Sequence, residues 1–207
     1  MEKMIRNLKN KVTAQYFQEI IESKGYKFFT SGDLNVNIIG IRNPNLEANK
    51  FDDTMVLIFK IAGEWVIHEY QITTDAGAYW LENPMKDNGC ALLVPNQYRS
   101  VYKIDYHLGK YLALCQRNGK VEVYRDDNKD QILDFNDASK EWGYFGINIH
   151  RSNPRSESYE VNKWSAGCQV FKKIDDYNEF MDICTRSMKK YGNSFTYTLI
   201  NESDLNL

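Results

Sequence analysis

Between Asn35 and Tyr124 the sequence is cut into short runs of β-branched and aromatic residues, and this punctuation limits the fold more than any other feature. The runs are Asn35–Ile41, Thr54–Ile61, Trp65–Ile72, Cys90–Val94, Ser100–Ile104, Tyr111–Cys115 and Val121–Tyr124. Ala62-Gly63-Glu64 predicts a hairpin loop between the second and third runs. Asn118-Gly119, within Gln116–Lys120, predicts a turn between the sixth and seventh. Runs so spaced read as a β-meander.

Helical periodicity appears only at the two ends. Ile5, Leu8, Val12, Tyr16 and Ile20 recur at three-to-four spacing and Gly25 follows, which predicts an amphipathic helix over the first 24 residues. Its stripe must be covered, by the chain or by an assembly partner. Ile174, Tyr177, Met181, Cys184, Met188 and Tyr191 predict a second helix, and Phe195–Ile200 a final strand. The expected fold is mainly β (α+β), a β-sandwich or meander with an N-terminal and a C-terminal helix. The expected division is a helical arm at 1–32 and a domain at 33–207.

Composition excludes several function classes. Among 207 residues, 26 Lys+Arg face 28 Asp+Glu for a net charge of −2, and 43% are hydrophobic. That balance excludes a disordered tail and a polybasic nucleic-acid wrapper, so no nucleic-acid partner is expected. The 14% aromatic share favours a β-rich core or a groove for carbohydrate or peptide. Met1–Leu8 is not backed by an apolar stretch, and no run reaches the roughly 18 apolar residues of a membrane span. Synthesis in the cytoplasm without an export signal is the expectation. Cys90, Cys115, Cys168 and Cys184 are far apart, without a C-x-x-C pair or a His at zinc-ligand spacing, so free thiols and no metal or cofactor are expected.

The chemistry-bearing stretch runs from Gly143 to Phe171. A β run ends in His150, a polar loop follows, and Ser165-Ala166-Gly167-Cys168 closes it. An ordinary thiol, with a pKa of about 8.5, is only a few per cent thiolate at neutral pH, so a nucleophilic Cys needs a nearby base. Gly167 lets backbone N–H groups approach a substrate closely, as an oxyanion site requires. His150 shares the polar face of its run with Gly146 and Asn148.

The order His150, fourteen residues, then Ser165-x-Gly167-Cys168 resembles the signature of the L,D-transpeptidase (YkuD-like) catalytic domain. The resemblance is specific over Gly143–Phe171 and implies a β-rich fold acting on peptidoglycan stem peptides. It implies Cys168 as nucleophile, His150 as base, the Arg151 backbone carbonyl as the group orienting the imidazole, and the Gly167 backbone at the oxyanion. It also implies that Ser165 and Gln169 shape the site or contact substrate. Two positions depart from the family pattern: Ala166 stands where a second His is usual, and Gln169-Val170-Phe171 where an Arg or Asn is usual. The expected activity is therefore cysteine-dependent acyl transfer or hydrolysis on a wall peptide, in cell-wall remodelling or phage lysis. The alternative is a catalytically inactive structural or adhesion module, such as a phage virion protein.

Other residues have two readings each. Trp164 and Tyr144 either wall a groove for sugar or peptide or pack as ordinary aromatics. Lys163, Lys172 and Lys173 either depress the thiol pKa or solvate the surface. Cys90, Cys115 and Cys184 read as core, His68 as packed, and His107 as part of a turn-like segment with no supporting spacing.

Overall fold

The computed structural model describes residues 13–205, and the predicted helical positions Ile5, Leu8 and Val12 lie outside them. Helix α1 (Ala14–Ser23) begins at Thr13, whose side chain accepts the Tyr16 N–H, and gives way to Gly25 at φ +76°. Strands β1 (Asn37–Arg42), β2 (Asp53–Ile61) and β3 (Glu64–Thr73) follow, then a short helix α2 (Ala78–Glu82). Next come β4 (Cys90–Leu93), β5 (Gln97–His107), β6 (Tyr111–Gln116), β7 (Val121–Asp126) and β8 (Glu141–Gly143). The chain ends with β9 (Ile149–Arg151), β10 (Gln169–Phe171), helix α3 (Ile174–Tyr191) and β11 (Phe195–Asn201).

The fold is mainly β with flanking helices, as the patterning predicts. Its strands do more than stack or meander. Eight close into a barrel in the order β1-β11-β5-β6-β9-β10-β3-β2, and β4-β7-β8 form a separate three-stranded sheet. Closure leaves the eight strands without a free edge. Only β1 with β11 and β9 with β10 run parallel among the described strands.

The β2–β3 hairpin forms at Ala62-Gly63, both at positive φ, as a two-residue loop of matching twist demands. The Asp33 carboxylate accepts both their N–H groups, at 2.9 and 3.1 Å, which lets Ala62 hold that conformation. Asn118-Gly119, by contrast, joins no hairpin. β6 pairs with β5 and β9 in the barrel while β7 pairs with β4 and β8, so the chain crosses between sheets there. The hairpin in this region is β5–β6, turning at Leu108-Gly109 with His107 opposite Tyr111.

Strand β2 shows why its apolar run is continuous. Met55, Leu57 and Phe59 enter the main core with Phe180, Ile183 and Cys184 of α3. Val56 and Ile58 face the other way and pack with Phe17, Ile20 and Ile21 of α1. Both faces are covered, so alternation disappears. Burying a Phe or Ile contributes at most about 1.5–3 kcal/mol each, so the described part of the arm is anchored to the barrel. Its stripe at Phe17, Ile20 and Ile21 is covered by this chain itself rather than by a partner.

Candidate functional site

The barrel wall is shortest where β9 and β10, three residues each, lie side by side. Gln169 pairs with Ile149 and Val170 with His150. The Gln169 N–H donates to the Asn148 carbonyl at 2.9 Å, which brings Cys168 beside Asn148. The two strands thus set Cys168 two residues diagonally from His150, about 8 Å between Cα atoms from strand spacing and rise.

His150 is buried, and its Nδ1 lies 2.8 Å from the Arg151 carbonyl oxygen. A carbonyl only accepts, so the neutral ring carries its hydrogen on Nδ1 and leaves Nε2 with a free lone pair. The Tyr111 hydroxyl donates to the same carbonyl at 3.3 Å, and the Arg151 guanidinium lies 3.9 Å above the Tyr111 ring. A second imidazole completes the arrangement: His107, at the end of β5, stacks on His150 with centroids 4.1 Å apart and planes 23° from parallel. The Asn148 amide donates to His107 Nδ1 at 3.0 Å.

Cys168 is half-buried. Its Sγ accepts the Asn148 N–H at 3.4 Å and donates to the Gly146 carbonyl at 3.4 Å. Among the hydrogen bonds of the described residues, none joins it to His150. Asn148 therefore links the two halves of the site, touching the thiol through its backbone and His107 through its side chain. Burial pushes the Cys168 thiol up to about 11, with the Asn148 N–H opposing. Burial, and then the neighbouring His107, push His150 down to about 3. Burial, and then Arg117, Arg151 and Lys110, lower His107. Near neutral pH the site holds a thiol and two uncharged imidazoles rather than a thiolate–imidazolium pair.

The turn before Cys168 is built from inside. The Ser165 hydroxyl lies 2.6 Å from the Asp75 carbonyl oxygen and 2.9 Å from that of Cys168, sharing its one hydrogen between them, and accepts the Gly167 N–H at 3.1 Å. Ser165 is buried, and its hydroxyl braces the turn from inside. The Gly167 N–H donates to the same hydroxyl and is therefore already engaged inside the turn. Gly167 has another duty: at φ +112°, an added Cβ would lie 1.8 Å from the Ala91 carbonyl oxygen.

Gln169 also differs from expectation. It is fully buried, accepts the Tyr197 hydroxyl at 2.8 Å and approaches the Gly167 carbonyl at 3.4 Å, so it ties the turn to the barrel interior. Trp164 and Tyr144 are 40% and 61% exposed on the segments leading to Cys168 and to Gly146. Lys163 lies over the Tyr79 ring, Lys172 pairs with Glu157 at 3.0 Å and Lys173 stands at the N-cap of α3. Not one of these lysines contributes to the thiol's shift. Cys90, Cys115 and Cys184 are buried free thiols, and His68 stacks between Phe59 and Tyr70.

Behind the turn sits a buried ionic group that sequence patterning missed. Arg42 Nε lies 3.0 Å from Asp75 Oδ1, and Asp53 Oδ2 accepts the Thr74 N–H at 2.6 Å and the Thr74 hydroxyl at 2.9 Å. Burial raises both carboxyls, and Arg42 opposes it in each case. The available signal was an Arg closing the otherwise apolar run of β1. Comparisons of the chain with protein-family models, curated proteins and solved structures find no match.

Proposed function

We propose that the chain is a cysteine-dependent acyltransferase or hydrolase acting on peptidoglycan stem peptides. The observation that carries this reading is the Arg151 carbonyl holding His150 Nδ1 while Cys168 immediately precedes the adjacent strand β10. With its hydrogen held on Nδ1, the neutral ring presents Nε2 as the acceptor that a thiol proton needs.

The reaction runs in two balanced steps. Cys168 Sγ–H turns from the Gly146 carbonyl, gives its proton to His150 Nε2 and attacks the peptide carbonyl, so an S–C bond forms as the carbonyl oxygen gains charge. The Cys168 N–H supplies a donor for that oxygen. Collapse breaks the C–N bond, and His150 returns the proton to the leaving amine. A second amine, or water, then attacks the thioester with His150 as base and regenerates the thiol. Because thiol and imidazole are neutral at rest, the proton moves in step with attack. The exposed Trp164 and Tyr144 offer apolar walls for a peptide or sugar. Among the described residues no helix is long and apolar enough to cross a membrane.

A specific observation favours a second reading. The thiol is hydrogen-bonded to Gly146 and Asn148, away from His150, which is what a structural module with an idle cysteine would also show. Purified peptidoglycan incubated with wild type, Cys168→Ala and His150→Gln separates the two. Muropeptides cut or cross-linked by wild type alone support the enzyme. Identical products from wild type and Cys168→Ala, or none from any variant, support the structural module.

A further inference from the structure

A second candidate site lies beyond the end of β7, in the loop that leaves the small sheet. Asp126, Asn128, Asp130 and Asp134 follow one another at i, i+2, i+4 and i+8. Twelve-residue calcium loops take side-chain oxygens at positions 1, 3, 5 and 9 and a backbone carbonyl at position 7, which here is Ile132. The match is partial. Gln131 stands where such loops carry Gly, and Asp137 stands at the last position, where its carboxylate pairs with Lys140 at 2.6 Å.

Spacing alone would carry nothing, but Asp126 adds an independent observation. Asp126 is 1% exposed, and its Oδ1 has no hydrogen-bond partner. Its Oδ2 accepts the Asp134 N–H at 3.0 Å, which fixes the carboxylate against the loop. A buried carboxylate oxygen without a donor is costly, and a bound cation is one group that relieves it.

The neighbouring side chains have the same polarity. Asn128 Nδ2 lies 3.0 Å from Asp130 Oδ2 and 2.7 Å from Asp134 Oδ2, so the positive end of an amide fills the space between two carboxylates. Among the described residues no three His, Cys, Asp or Glu side chains already converge on a metal position. Turning the Asn128 amide exchanges its N–H₂ for an oxygen, an acceptor on the side that faces the two carboxylates. The loop is tethered at its far end, where the Leu133 N–H donates to the Leu46 carbonyl at 2.8 Å and the Ala48 N–H to that of Gln131 at 3.1 Å.

We infer that the 126–134 loop binds Ca²⁺, with Asp126 as its buried anchor and Asn128, Asp130, Asp134 and the Ile132 carbonyl as further oxygen donors. The ion would tie β7 to the 46–48 segment, and its binding free energy would appear as stability of the small sheet. This site is independent of Cys168.

Calorimetric titration of the full chain with CaCl₂, alongside thermal melts, tests the inference. Saturable binding with Kd of about 10⁻³ M or tighter is expected, together with a rise in melting temperature. Asp130→Ala and Asp134→Asn, on the outer part of the loop, should each weaken binding about tenfold or more while keeping the circular dichroism of the metal-free wild type. Asp126→Asn should abolish the response. No binding by wild type, or unchanged affinity in both outer variants, would overturn the site. MgCl₂ binding as tightly as CaCl₂ would overturn the assignment to Ca²⁺.

Discussion

His150 Nδ1 lies 2.8 Å from the carbonyl oxygen of Arg151, its own successor in the chain. That short bond fixes the tautomer and leaves Nε2 as the only basic atom of the ring. His150→Gln can still donate to the carbonyl but has no basic nitrogen. Its rate of Cys168 acylation should fall by about 10²–10⁴-fold. Single-turnover mass spectrometry checks this, and an unchanged rate would remove His150 from the chemistry.

The same burial makes His150 a source of acid sensitivity. Its pKa is pushed from the ordinary histidine value of 6.5 down to about 3, so the folded state binds fewer protons than the unfolded state between these limits. The stability it contributes is present above pH 6.5 and is lost as pH falls toward about 3. Urea denaturation of wild type at pH 7 and pH 4.5 should show a larger loss than His150→Gln shows over the same interval. The comparison isolates His150 from Asp53 and Asp75, whose raised pKa values act in the opposite direction. Equal losses in the two proteins would contradict the buried neutral imidazole.

His107 should tune its stacked partner. His107→Phe keeps a ring over His150 but removes the second titrating imidazole and the acceptor for the Asn148 amide. The His150 pKa should rise, as followed by NMR of the imidazole Cε1–H. Stability should fall by about 1–3 kcal/mol because the buried Asn148 amide N–H loses its acceptor, while its oxygen still accepts the Gln116 N–H. A His150 titration unmoved by the change would reduce His107 to a packing residue.

Gly167→Ala should be among the most damaging single-methyl additions in the chain. Its φ of +112° and the 1.8 Å approach to the Ala91 carbonyl leave no room for a Cβ. A loss of about 1–3 kcal/mol from backbone strain alone is expected in denaturant unfolding. Wild-type stability would show that the turn relaxes freely.

Local pattern and tertiary pairing divide what was legible in this chain. The strands β2 and β3, the helix α3 and the turn at Ala62-Gly63 follow from periodicity and turn chemistry, because neighbours in sequence decide them. Asn118-Gly119 misleads because a turn signal does not say which sheet the next strand joins. That His150 and Cys168 flank one polar loop was readable in the sequence, and the pairing of β9 with β10 sets the two stretches side by side; the Arg151 carbonyl was implied by the family resemblance alone. His107 was not, because its stack on His150 depends on β5 and β9 meeting β6 from either side. Ser165 and Gln169 look like site residues in sequence. Burial turns both into internal braces.

Cys168 as the acylated nucleophile is tested most directly by the intact mass of the folded protein after incubation with a stem-peptide donor, quenched before turnover. One acyl adduct per chain is expected, mapped to Cys168, slowed in His150→Gln and absent from Cys168→Ala. An adduct that persists in Cys168→Ala, or a wild-type protein that never carries one, would contradict that role.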